Sequence, residues 1–176
     1  MIFVTTGLHP DGFDRLVRAA DEMGSFIEEP VVIQRGGTRY TPKFAQYFDF
    51  VNDGRMKEWL REARVVVSHG GAGSILHTLQ AGKPLVVVPR LKRFGEVIDD
   101  HQLELAQALS QQGRAVVVVE LSAEALWQAI GQITAPTMRL TGKTPANYGL
   151  QDTLRAWLAE QSTSRARWHW RPGWKR

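Results

Sequence analysis

The sequence predicts an α/β fold, a Rossmann-like parallel sheet with helices on both of its faces. Three observations carry that prediction. Mostly apolar runs of strand length recur at residues 2–6, 30–34, 65–67, 85–88 and 115–119, without the polar alternation of a half-exposed sheet, as strands covered on both faces read. Helical spacing fills the segments between them, the alternation that builds parallel βαβ units. A length of 176 residues, 43% apolar and 23% charged, matches one globular domain.

Residues 2–6 form the first strand, and Phe13, Leu16, Val17 and Ala20 share one face of a helix over residues 13–23. Residues 30–34 form the second strand. Phe44, Tyr47, Phe48 and Phe50 mark a short third strand, followed by a helix carrying Met56, Trp59, Leu60 and Ala63. Val65, Val66 and Val67 make the fourth strand. A glycine cluster then leads into a helix over residues 74–81, which Gly82 ends and Pro84 confirms as ended. Residues 85–88 resume the sheet. A helix over 103–112 turns Leu105, Ala106 and Leu109 inward and stops at Gly113, and residues 115–119 are the last strand. Ser122 caps a helix containing Leu126, Trp127 and Ile130; Glu124 sits one position short of capping-box spacing and so acts only on the helix dipole. The organisation is a domain over 1–133, a connection and final helix over 134–161, and a basic, tryptophan-rich tail over 162–176.

Charge and cysteine content narrow the function. The formal charge is +4, but five of the 22 cations lie after Glu160, beyond which there is no acid; residues 1–164 hold 17 cations against 18 acids. The body is therefore near neutral, which argues against a nucleic-acid surface there. The tail mixes Arg165, Arg167, Arg171, Lys175 and Arg176 with Trp168, Trp170 and Trp174. That composition suits an anionic membrane surface or a groove on a partner, could take nucleic acid by stacking, and equally describes a terminus with no partner. With no cysteine, disulfides, thiolate nucleophiles and sulfur-ligated zinc are out, and a cytosolic setting is expected. No apolar run reaches spanning length, and no leader precedes the first strand. An enzyme of two nucleotide-binding domains does not fit in this length, so a second domain would come from a partner.

Ligands of such a sheet bind beyond the carboxyl ends of the strands, which singles out the loops at 7–12, 35–40, 69–73 and 90–100. The run from Val65 through His69, Gly70, Gly71, Ala72 and Gly73 to Ser74 passes from a strand through three glycines into a helix. Its backbone N–H groups can approach an anion, with the helix dipole, the Ser74 hydroxyl and the His69 imidazole adding to them. A phosphate fits that description, and so does a tight turn in which glycine serves only positive φ. Other glycine motifs fail: Leu76 stands where a dinucleotide fingerprint needs its third glycine, Thr137 stands where a P-loop needs its first, and no G-x-S-x-G elbow is present.

A longer constellation separates the two readings. The segments His69-Gly70-Gly71-Ala72-Gly73-Ser74-Ile75-Leu76, Ala81-Gly82-Lys83-Pro84-Leu85-Val86-Val87-Val88-Pro89, Phe94-Gly95-Glu96 and Asp99-Asp100-His101-Gln102 resemble the C-terminal domain of glycosyltransferase family 28. With Phe3-Val4-Thr5-Thr6-Gly7 and Tyr47-Phe48-Asp49-Phe50, the chain over residues 1–133 is similar to the small nucleotide-sugar-binding subunits of bipartite glycosyltransferases. Those subunits serve bacterial exopolysaccharide assembly and eukaryotic chitobiosyl-dolichol synthesis.

The resemblance implies the C-terminal, donor-binding half of a GT-B glycosyltransferase. It implies a UDP-sugar donor, no cofactor, no obligatory metal, a lipid-linked glycan acceptor and a membrane-associated partner subunit that binds that acceptor, at the cytoplasmic face of the cell membrane. It places the donor on Gly7, His69, Gly70, Gly71, Ala72, Gly73, Ser74, His77, Arg90, Asp100, His101 and Gln102, with His69 and Ser74 catalytic through the diphosphate and Asp100 and Gln102 on sugar hydroxyls. One position departs. Relatives often carry a carboxylate at the position of His77, where it accepts from ribose hydroxyls; an imidazole accepts only one hydrogen bond, so His77 either reads ribose more weakly or is a surface residue. Arg90, Lys92 and Arg93 could face the diphosphate or only solvent, and His9 has the chemistry of a general base, although in such transferases the base commonly comes from the acceptor side. A module that binds the nucleotide sugar without catalysing transfer is the alternative to an active subunit.

Overall fold

The structure, a computed structural model, describes residues 1–134. Six strands, β1 (Ile2–Thr5), β2 (Val31–Gln34), β3 (Gln46–Phe48), β4 (Val65–Ser68), β5 (Leu85–Val87) and β6 (Val116–Val117), form one sheet in the order β3-β2-β1-β4-β5-β6, with every pair parallel. Five helices cross over between them: α1 (Asp14–Gly24), α2 (Asp53–Glu62), α3 (Ala72–Gln80), α4 (His101–Gln111) and, after β6, α5 (Ala123–Thr134). This is the doubly wound Rossmann-like order, and it reverses direction between β1 and β4.

Alternation along the strands divides the core into two layers. Ile2 and Val4 of β1, Ile33 of β2 and Val65 and Val67 of β4 face one side, where Leu16, Val17, Ala20 and Met23 of α1 meet Leu126, Ala129, Ile130 and Ile133 of α5. Phe3, Val32 and Val66 face the other and pack on Leu60 and Ala63, with Met56 and Trp59 partly buried alongside. Both faces are covered, which is why the strands are apolar along their whole length. Each fully buried Leu, Ile or Val adds roughly 1.5–3 kcal/mol of transfer free energy.

The edges differ from expectation, and exposure explains how. β3 pairs with β2 alone and is only three residues long; Phe44 and Phe50 fall outside it and are 63% and 55% exposed. Phe48 alone turns inward, stacked between Phe3 and Trp59 at centroid distances of 6.4 and 6.1 Å. β6, at the other edge, shrinks to two residues. α3 and α4 each begin two residues earlier than helical spacing suggested, α3 directly from an N-cap at Gly71. The stops and the last cap are as expected: Gly82 and Gly113 have φ of 65°, and Ser122 Oγ accepts from Ala125 N at 3.1 Å.

A buried carboxylate fixes the stretch before β3. Asp21 of α1 accepts from the N–H groups of Lys43, Phe44 and Ala45 and from the Tyr40 hydroxyl at 2.7–3.0 Å. Burial raises its pKa, but these bonds outweigh that and hold the carboxyl below its ordinary range. Helical spacing alone does not point to it. The connection and final helix expected over 134–161 and the tail over 162–176 lie, beyond Thr134, outside the described residues. Among the described residues no helix is long and apolar enough to cross a membrane.

Candidate functional site

The site forms where the sheet order reverses. Thr5 of β1 is in register with Ser68 of β4, and His69 N donates to Thr5 O at 3.2 Å, so the exits Thr6-Gly7 and His69-Gly70 lie side by side. Gly7 and Gly70 both have positive φ, 76° and 90°. At Gly7 the need for glycine is double, because a Cβ there would lie 2.5 Å from His69 Cε1. Gly71 closes on the same ring from the other side: its Cβ would collide with His69 Nε2. The imidazole is therefore clasped between two glycines, and Gly71, Ala72, Gly73 and Ser74 turn straight into α3.

His69 is 9% exposed, and its Nδ1 lies 3.3 Å from Thr5 O. A carbonyl only accepts, so the neutral ring carries its proton on Nδ1 and keeps a lone pair on Nε2. Burial, then the nearby Arg90 charge, lower its pKa to about 4. At neutral pH His69 is thus an uncharged acceptor at Nε2, which differs from the anion donor expected of it. The groups of the turn with the chemistry to donate to an anion are its backbone N–H groups and the Ser74 hydroxyl at the start of α3.

Arg90 also differs from expectation. Its side chain is 1% exposed and turns into the protein: Nη2 donates to Thr6 O at 3.0 Å, Nη1 donates to Gly12 O, and the guanidinium sits 4.6 Å from the Phe13 ring centroid. It is a strut tying the exit of β5 to both ends of the loop after β1. Gln102 completes this frame, because its Oε1 accepts from Arg90 N at 3.1 Å while a Cβ on Gly70 would stand 3.2 Å from Gln102 Cβ.

The remaining residues of the 90–101 loop are more open. Asp100 accepts from Lys92 N at 3.0 Å, and His101 at the start of α4 lies 3.2 Å from Glu104 Oε2 and 3.5 Å from Asp99 Oδ2. Arg93 pairs with Glu120 at the surface. His9, half exposed on the loop after β1, takes the Asp11 N–H on Nδ1 at 3.4 Å.

Beside the glycine turn, between the ends of β1 and β2 and the helices α2 and α3, opens a cavity of about 330 Å³. Gly7, Gly73, Ser74 and His77 line one part; Phe3, Leu8, Val51, Met56 and Leu60 make an apolar wall; Asp53, from the first turn of α2, stands at the rim. The structure thus brings Gly7, Gly73, Ser74 and His77 to one cavity and leaves Asp100 and His101 on the adjoining loop. Sequence reasoning missed Asp53, because nothing in the local pattern of the first turn of α2 shows that it shares a cavity with α3. Among the described residues no group of three or more His, Asp or Glu side chains gathers to hold a metal.

Comparison with known proteins follows the same outline. The family model for the glycosyltransferase family 28 C-terminal domain matches residues 1–156. The human UDP-N-acetylglucosamine transferase subunit ALG13 is 37% identical over 102 residues, covering 58% of this chain and 8% of that protein. The UDP-N-acetylglucosamine–N-acetylmuramyl-(pentapeptide) pyrophosphoryl-undecaprenol N-acetylglucosamine transferase of Cupriavidus necator is 31% identical over 124 residues, covering 64% of this chain and 33% of that protein. The chain therefore spans a third or less of either relative's length. Among solved structures, the calicheamicin glycosyltransferase CalG4 superposes with a TM-score of 0.63 at 18% identity, over 92% of this chain and 44% of that one. MurG of Acinetobacter baumannii gives 0.56 at 20% identity, over 78% and 42%. These two likenesses show the fold, that of one half of a GT-B glycosyltransferase. The chain belongs to the glycosyltransferase family 28 C-terminal domain family.

Proposed function

We propose that this chain is the donor-binding subunit of a two-component glycosyltransferase that moves a sugar from a UDP-sugar to a lipid-linked glycan acceptor in polysaccharide synthesis. The observation that carries the reading is the glycine turn at the β1–β4 switch point opening onto the 330 Å³ cavity: a charge-binding backbone next to an apolar wall suits a nucleoside diphosphate. The two relatives named above are transferases of N-acetylglucosamine, which makes UDP-N-acetylglucosamine the first donor to test.

In this reading the N–H groups of Gly71 to Ser74 and the start of α3 hold the diphosphate and stabilise the charge that develops on it as the sugar departs. Ser74 adds a hydroxyl donor. His69, with its lone pair at Nε2, shapes the cradle between Gly7 and Gly71; it meets the phosphate as a donor only if binding brings it a proton. Asp100 and Gln102 meet sugar hydroxyls in this reading, Gln102 while its Oε1 accepts from Arg90 N. Arg90 acts through the loop it braces. The acceptor and the general base come from a partner subunit at the cytoplasmic face of the membrane, and the tail is the candidate for peripheral membrane contact.

Titration of the full chain with UDP tests the site. Ser74→Ala is expected to weaken binding by about tenfold to a hundredfold, the worth of one hydrogen bond to a charged group, and His69→Ala by about tenfold or more because the cradle loses its filling. Unchanged binding in both variants would remove the site from this turn. If the chain binds a UDP-sugar but transfers nothing when joined to its partner, the non-catalytic module is the correct reading.

A further inference from the structure

Among the polar groups lining the cavity, several are already committed. Thr5 Oγ1 donates to Gln34 Oε1 at 2.7 Å, and Thr78 Oγ1 donates to Ser74 O at 2.8 Å. The side chains left to meet a ligand are those of Ser74, His77 and Asp53. Asp53 Oδ2 accepts from Lys57 Nζ at 2.6 Å, which leaves its other oxygen open, and Asp53 lines the same cavity as His77. A carboxylate accepts from hydroxyls and repels phosphate, so the part of a ligand at this rim is neutral and carries O–H groups. With an apolar wall on one side and the anion-binding turn on the other, that part joins a ring to a diphosphate.

We infer that Asp53 reads the ribose of the bound nucleotide, accepting from its vicinal hydroxyls at the rim of the cavity with His77 beside it. This rests on the nucleotide-sugar reading above and gives it a specificity residue supplied by α2. A carboxylate from α2 and an imidazole from α3 thus line the same cavity. A deoxyribose would leave Asp53 with an unanswered acceptor, so the site should reject it.

The test is calorimetric titration of the full-length chain with UDP and with 2′-deoxy-UDP. The wild type should prefer UDP by about tenfold, the worth of a hydrogen bond to a charged acceptor. Asp53→Ala should weaken UDP by more than it weakens 2′-deoxy-UDP, which keeps only its 3′-hydroxyl for Asp53, and so erase the preference. Asp53→Asn, which keeps the shape and one acceptor, should fall between. Far-UV circular dichroism and the melting midpoint check that each variant is folded. A folded Asp53→Ala protein with the wild-type preference overturns the assignment to Asp53 while leaving the nucleotide site standing. A wild type that binds neither nucleotide overturns the UDP reading, and the role of Asp53 with it.

Discussion

The glycine turn at 69–74 and the loop at 91–101 stand at the same carboxyl edge of the sheet, yet they are built on opposite principles. The turn is made of backbone: two glycines clasp a buried, neutral imidazole, and Arg90 and Gln102 brace it from below. The loop is made of side chains, with Lys92, Asp99 and Asp100 exposed and Arg93 and His101 in surface pairs. Backbone donors cannot be exchanged by point mutation, which suits the part of a ligand that never varies. Exposed side chains can be, which suits the part that does.

The largest test of this contrast is Arg90→Met. It leaves the carbonyls of Thr6 and Gly12 buried without their donor, and each such group costs about 1–3 kcal/mol, so a loss near 3 kcal/mol is expected in chemical denaturation. Arg90→Lys should not rescue it, since one ammonium does not reproduce a guanidinium bridging two carbonyls. A loss below about 1 kcal/mol would show that the turn stands without its strut.

The second test is pH. His69 has a folded pKa near 4, below the ordinary 6.5, so its contribution to stability is complete above pH 6.5. Between pH 6.5 and about 4 the unfolded chain takes up a proton that the folded chain refuses, and stability falls with pH, by about 3 kcal/mol at the limit of that window. A His69→Phe variant should lose that slope; if its stability follows the wild type through the same window, His69 is not buried in its neutral form. The smallest effects belong to the loop. Lys92→Ala and Arg93→Ala should change stability by less than about 1 kcal/mol and UDP affinity by no more than about twofold, because exposed pairs contribute little. A tenfold loss of affinity in either would bring the loop's cations into the anion site.

Legibility followed burial. Strands covered on both faces, such as β1 and β4, read directly as apolar runs, and Gly82 and Gly113 marked helix ends because nothing but local geometry decides them. Edge strands read poorly: the aromatics around β3 are partly exposed, so their spacing carries little periodic signal. In the candidate site, Gly7, Gly71 and Ser74 were readable because a close approach of backbone requires small residues. Arg90 read as a cation for the diphosphate or for solvent, since no local pattern reveals that its guanidinium turns back to carbonyls more than seventy residues away. Asp53 and Asp21 were missed for the same reason.

By itself, then, the amino-acid order determined the βαβ alternation, the buried strands and the glycine turn after β4, because these follow from local periodicity and from backbone freedom that only glycine has. Tertiary structure alone decided which nitrogen of His69 carries the proton, that Arg90 is a brace, and that a carboxylate from α2 shares a cavity with a histidine from α3. Those outcomes depend on what lies across the sheet, and residues far apart along the chain meet there only once the crossovers have closed.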